Sequence, residues 1–245
     1  MRHFATSVRV IMLVGLGLMG VQAALALPPP AVKPPIAEIK RCTKLHPELC
    51  PPVATLSALK GDARPVAVAL LQHEDPWIRQ AGARVLLRTA DKEAAPDLAA
   101  RLIDPDPAVR AAVYDALGVC GTEAQGAALF DRAQTETERE PRVAALRALG
   151  QLGWTAAREF LEAALDDADG HIQAAGLHGL RHLATPESVV PVATLLCDPR
   201  VEPVIRAEAV RTLVAIKTPQ VVPPLIQAAV AGPLEVRRRA IVGLG

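Results

Sequence analysis

Asp106-Pro107-Ala108-Val109-Arg110-Ala111-Ala112, followed by Ala116-Leu117-Gly118, decides the fold. The Asp can cap a helix that the Pro starts. Val109, Val113, Tyr114 and Leu117 then stand at positions −1, +3, +4 and +7 around Arg110, which is one face of a helix. Outward from this run the pattern repeats. The equivalent marks are Arg79, Arg110, Arg142, Gln173, Arg206 and Arg237, spaced 31, 32, 31, 33 and 31 residues apart. Seven residues after each mark stands a leucine: Leu86, Leu117, Leu149, Leu180, Leu213 and Leu244. Small residues recur at +3, as in Gly82, Ala145, Gly176, Ala209 and Ala240, and let a neighbouring helix approach closely.

A second apolar segment follows in each repeat, at 94–103, 124–130, 156–165, 189–196 and 221–230. Turn signals separate the repeats, among them Asp75-Pro76, Asp104-Pro105 and Asp198-Pro199. Two helices per period of this length is the sequence mark of an α-solenoid, in which stacked pairs share one continuous core. Composition agrees. Apolar residues make up 51% of the 245 and aromatics only 2%, so the core is built from Ala, Leu and Val, which suits closely packed helices better than a sheet.

The run from Asp106, with Asp75 to Leu86 and Asp169 to Leu180, resembles the HEAT-repeat family, in particular its short phycobilisome-lyase-like branch. The resemblance covers about Gln72 to Gly245 and implies an all-α fold, a right-handed α-solenoid of about five to six HEAT-type helix pairs. It also implies that the repeated Asp and Arg are structural, and that the second helices line the concave face. Val53 to Leu71 reads as a degenerate first pair broken at Gly61-Asp62 that caps the N-terminal end. At the other end a second helix is expected after Leu244-Gly245. A truncated sequence is the preferred reading, with a covering partner as the alternative.

Residues 1–26 read as a secretory signal. Arg2 and Arg9 form a basic start, Val10 to Val21 is an uncharged apolar run, and Ala24-Leu25-Ala26 is a small-x-small cleavage pattern. An uncleaved N-terminal membrane anchor is the alternative. Residues 27–52 carry eight prolines and read as a stiff extended linker. Within it, Cys42 and Cys50 are expected to form a disulfide staple in an oxidising compartment; two free thiols or a metal pair with His46 are the alternatives. Export to the periplasm or cell surface follows from this reading. The whole chain has 27 Lys+Arg against 26 Asp+Glu; removing Arg2 and Arg9 leaves a net charge of −1, with no bulk attraction to nucleic acid.

The Arg row at 79, 110, 142, 206 and 237 is the foremost candidate site. As a functional ladder it would bind an anionic polymer. As a structural one it would bond to acids and carbonyls of the turns. Asp75, Asp106, Glu138, Asp169 and Glu202, four residues before the marks, favour internal pairing. Arg237-Arg238-Arg239 lies in a stretch, from Cys197 on, with seven basic residues against four acids, too few for a nucleic-acid cleft. His73-Glu74 resembles one of the His-Glu pairs of di-iron HEAT-repeat hydroxylases, but several such pairs are needed. His178 and His182 share a helix face without an acid ligand. Cys120 and Cys197 stand some 25 Å apart at helix-packing distances and are read as small apolar residues that do not pair. No catalytic, cofactor or metal set is assigned. The chain is therefore read as a non-catalytic scaffold binding another protein. Its candidate partner-binding residues are Asp97, Arg101, Arg158, Glu159, Glu162 and Gln227 on the second segments. A lyase-like enzyme or chaperone acting on a tetrapyrrole-carrying protein is the alternative, ahead of nucleic-acid binding.

Overall fold

The computed structural model describes residues 36–42 and 50–245, with the side chains of residues 60 and 61 left aside. Residues 1–26, read above as a signal, and most of residues 27–52 lie outside the described residues. All regular structure among them is helical. The helices are α1 (Ile36–Arg41), α2 (Pro51–Ala58), α3 (Arg64–Leu71), α4 (Pro76–Thr89), α5 (Ala95–Ala99), α6 (Pro107–Cys120) and α7 (Glu123–Gln134). They continue as α8 (Arg139–Gln151), α9 (Arg158–Ala163), α10 (Gly170–Leu183), α11 (Val189–Cys197), α12 (Pro203–Ile216), α13 (Val222–Ala231) and α14 (Leu234–Leu244). Each mark lies in the first turns of a long helix, α4, α6, α8, α10, α12 or α14, and the second segments form α5, α7, α9, α11 and α13. The architecture is an all-α solenoid.

The helices start where the sequence punctuates them. The Asp75 carboxylate accepts the Trp77 N–H at 3.0 Å, Asp106 accepts those of Ala108 and Val109 at 2.9 and 3.2 Å, and Asp169 that of His171 at 2.8 Å. Each satisfies amide hydrogens that the first helical turn leaves open. The periodic face then forms the core. Leu86, Leu117, Leu149, Leu180 and Leu213 are wholly buried, with Ile78, Val109, Ile172 and Val236 from position −1 beside them. Burying one such leucine contributes about 1.5–3 kcal/mol. Tyr114 at +4 is among the largest buried side chains. At the last repeat the face opens: Ile226, Val230, Ile241 and Leu244 are exposed.

Two expectations need correction. The 27–52 segment is not extended throughout, because Ile36–Arg41 is helical. Prolines flank this stretch but do not enter it, and Ile39 is buried against the first repeats. The Trp77 indole N–H donates to the Ile39 carbonyl at 3.1 Å, which ties α1 to α4. Cys42 and Cys50 lie at disulfide distance, Cα to Cα 5.5 Å, with both residues buried. They join the end of α1 to the start of α2. α2 and α3, joined by a short 3-10 turn over Lys60–Ala63, both pack on α4.

The second correction concerns curvature. The long first helices pack on one another along their lengths from α4 through α14, whereas the short second helices touch sparsely. Between α8 and α10 the backbones meet: a Cβ added to Gly150 would lie 2.3 Å from the Gly179 Cα. A stack drawn closer on one side curves toward that side. The first helices, rather than the second, therefore form the inner row.

Candidate functional site

The Arg row resolves into an internal ladder, but its acid partners are not those four residues upstream. Arg79 donates through Nε and Nη2 to both carboxylate oxygens of Asp104, at 2.7 and 2.8 Å, and through Nη1 to the His73 and Glu74 carbonyls. Arg110 repeats this on Glu136, at 2.8 Å twice, and on the Asp104 and Pro105 carbonyls. Arg142 reaches Asp167 at 3.1 Å. Each partner sits in the turn before the next repeat, so every pair bridges two repeats. The bonds to Asp104 and Glu136 hold the Arg79 and Arg110 guanidiniums above their ordinary pKa against the cost of burial. Burial is the largest single influence on the Glu136 carboxyl and would raise it; the Arg110 bond and charge, with the Glu138 N–H and the Tyr114 hydroxyl, together outweigh it and the net shift is downward. Burial raises the Tyr114 hydroxyl, which donates to Glu136 at 3.2 Å.

These turn acids do a second job. Asp104, Glu136, Asp167 and Asp198 each accept the N–H of the residue two positions on, at 3.0, 3.3, 2.9 and 2.8 Å. At Asp198 the ladder changes. Arg200, in the same turn, takes both carboxylate oxygens, holding the Asp198 carboxyl down to about 2. The mark facing that step is Gln173, which donates to the Leu165 and Asp167 carbonyls instead. Arg206 bonds to the Leu196 carbonyl at 2.7 Å, and Arg237 is exposed. The two best-formed rungs, Arg79 and Arg110, are thus buried and neutralised within the fold, which leaves them no role in gripping a polymer.

The residues expected to bind a partner are scattered over the second-helix side. Asp97 lies on α5, Arg158, Glu159 and Glu162 on α9, and Gln227 on α13, with Arg101 just after α5. Several have internal roles. Arg101 donates to the Gln72 side chain. Arg158 pairs with Glu162 at 2.9 Å and with Glu159 at 3.0 Å, and Glu162 also accepts the Ser188 hydroxyl at 2.7 Å. Glu159 and Gln227 are exposed, while Asp97, Arg101, Arg158 and Glu162 are half-buried.

The inner row offers a groove instead. A cavity of about 640 Å³ runs over α4, α6, α8 and the start of α10. Ala108, Ala111, Val143 and Ala144 give it an apolar floor, and Arg84, Asp115 and Arg147 a charged wall. Arg84 and Arg147 approach Asp115 at 3.3 and 2.8 Å from either side. Further on, Arg181 and Arg211 share Glu208 at 3.6 and 2.7 Å. Arg84, Asp115, Arg147, His178 and Arg211 all stand five residues after a mark, a second row that the sequence reading passed over although the same alignment displays it. Burial, with help from Arg181, His182 and Arg147, lowers the His178 imidazole to about 4. The His178 and His182 rings sit 4.8 Å apart. His73 instead accepts the Asp75 N–H through Nδ1 at 3.0 Å. Among the described residues no group of three or more His, Cys, Asp or Glu could hold a metal ion. Cys120 is buried, its thiol donating to the Leu86 carbonyl at 3.3 Å and raised by burial to about 11; Cys197 is half-buried, and neither is paired. No described helix is long and apolar enough to cross a membrane.

Comparison with known proteins places this geometry. No curated protein sequence matches the chain. Among solved structures it is similar to the complex of CpcE and CpcF of phycocyanin lyase from Nostoc sp. PCC7120, at 20% identity, covering 92% of each chain with a TM-score of 0.54. It is also similar to an engineered protein at 19% identity, covering 85% of this chain and 66% of that one with a TM-score of 0.52. At these identities the likeness is one of fold. The family description "PBS lyase HEAT-like repeat" matches residues 141–167, and "HEAT repeats" matches 63–150 and 157–245. With most of its length matched, the chain belongs to the HEAT-repeat family.

Proposed function

We propose that the chain is a non-catalytic protein-interaction scaffold of the cell envelope that grips its partner along the first-helix groove. The observation that carries this is the groove itself: small apolar residues set among charged side chains of both signs, spanning four consecutive repeats on the inner row. A lining of mixed charge suits a protein partner better than a polyanion. Its placement outside the cytoplasm is supported by Arg2 and Arg9 before the apolar run, the Ala24-Leu25-Ala26 pattern, and two buried cysteines at disulfide distance. A photo-crosslinking residue placed at Val143 in the full chain should yield partner adducts in cells, whereas one at exposed Glu159 should not. Adducts from Glu159 alone would return the binding surface to the second helices. Visible absorbance gained on incubation with a free tetrapyrrole would replace the scaffold reading by a chromophore-handling one.

A further inference from the structure

Two devices tie successive first helices together. One is the rung: Arg79, Arg110 and Arg142 reach Asp104, Glu136 and Asp167 in the turn before the next repeat. The other is a close approach, eight residues after a mark on one helix and six after the mark on the next. There Gly118 of α6 meets Ala148 of α8, with an added Cβ 3.0 Å from the Ala148 Cα. Gly150 of α8 meets Gly179 of α10 in the same way. Val214 of α12 meets Gly243 of α14, where an added Cβ would lie 2.5 Å from the valine side chain. Between α4 and α6 the rung is present, and between α12 and α14 the glycine is. At α10 and α12, alone among the described junctions, neither is. The mark is Gln173, whose amide stays on the Leu165 and Asp167 carbonyls of its own side. The positions that elsewhere include a Gly or an Ala are here Arg181 and Thr212. A cleft of about 630 Å³ stands at the same place. Leu165, Asp167 and Gln173 form one wall, and Leu195, Asp198 and Val201 the other.

The second wall belongs to α11 and the turn after it, and α11 packs on α12. The cleft therefore divides the chain up to α10 from α11–α14. Few polar contacts cross it. The Thr212 hydroxyl donates to the Leu177 carbonyl at 3.0 Å, the Ser188 hydroxyl to Glu162 at 2.7 Å, and Arg181 approaches Glu208 at 3.6 Å. We propose that the solenoid is hinged here, at residues 184–188 where the chain passes from one body to the other, and that it pivots on the Leu177–Thr212 contact. Hinges of this kind use a few residues at the ends of elements while the packed bodies stay rigid. The junction separates the groove over α4, α6 and α8 from a second hollow of about 540 Å³ on α12 and α14, lined by Val210, Val214 and Val242. Bending changes the distance between these two inner surfaces and leaves each intact. The hinge rests on packing alone and not on the scaffold reading.

The test measures distance distributions in the full chain by double electron–electron resonance. Spin labels are attached through a genetically encoded ketone residue, so that the cysteines stay native. One pair, at exposed Glu159 on α9 and Gln227 on α13, crosses the junction. The control pair, at exposed Lys92 before α5 and Glu159, spans as many repeats on the near side of it. The crossing pair should show a distribution at least about twice as wide as the control. Gln173→Arg/Arg200→Ala, which supplies a guanidinium and frees Asp198 to receive it, should narrow the crossing distribution toward the control. Equal widths in the parent chain overturn the hinge, as does a crossing width that this double variant, folded by circular dichroism, leaves unchanged. Should the variant fail to fold, the two widths in the parent decide. None of these outcomes bears on partner capture at Val143, which tests the scaffold reading separately.

Discussion

Arg110 and Glu136 form a two-point ion pair, with Nε and Nη2 each 2.8 Å from a carboxylate oxygen, across the junction of two repeats. The arginine side chain is 9% exposed and the glutamate 2%. A pair this deep contributes little net stability against well-packed apolar residues, yet losing one member leaves a buried charge alone. Glu136→Gln should therefore lower the unfolding free energy by about 3–5 kcal/mol, while the double replacement Arg110→Met/Glu136→Leu should cost far less. Urea denaturation of the three proteins measures both. A single variant within about 1 kcal/mol of the parent would mean that the pair is solvated in solution.

This pair also marks how far the sequence could be read. The period, the buried leucines and the aspartate caps were legible because each is set by local spacing along one helix. That Arg110 was structural was legible too. Its partner was not: Glu138 is nearer to the next mark in sequence, but it begins α8, and Glu136 is the acid that the turn folds back toward Arg110. The inner row was misassigned for a similar reason. Which helices lie inside depends on how closely backbones approach between repeats, and the signal for that was the glycines at 150 and 179, whose role appears only when the helices are side by side.

Those glycines make a prediction of their own. A Cβ on Gly150 would lie 2.3 Å from the Gly179 Cα and 2.4 Å from its carbonyl oxygen, both backbone atoms that cannot step aside. Gly150→Ala should force α8 and α10 apart and destabilise by about 1–3 kcal/mol or more. Gly170→Ala, where a Cβ meets only Ile205 at 3.8 Å, should be neutral or stabilising by up to about 1 kcal/mol. Chemical denaturation separates the two. Equal effects would show that the first helices are not in backbone contact.

At the altered rung, Asp198 is already held by Arg200 of its own turn, and Gln173 makes do with carbonyls. Gln173→Arg alone should therefore bring no gain, because the carboxylate it needs is occupied. In an Arg200→Ala background the same change should raise the melting temperature, as the new guanidinium finds Asp198 free. The signature is non-additivity in a double-mutant cycle, read by thermal melts. Additive effects would mean that residue 173 does not reach Asp198.

His178 lies on the inner row near Arg147, Arg181 and His182, and burial first, then those neighbours, holds its pKa at about 4 against an ordinary 6.5. The folded chain thus resists taking up a proton that the unfolded chain accepts. Between pH 6.5 and 4 the unfolded state binds more protons, so stability rises with pH in that window. The contribution is fully present above the unfolded value and is lost as acidity increases toward the folded one. His182, whose pKa burial and Arg181 also lower, adds in the same direction. Melting temperatures should accordingly fall from pH 6.5 to 4, and His178→Asn should flatten that slope more than His171→Asn at the exposed start of α10. An unchanged slope in His178→Asn would mean that burial of this imidazole does not set the acid sensitivity. Glu136, held below its ordinary value of 4.5, contributes a separate loss of stability at lower pH.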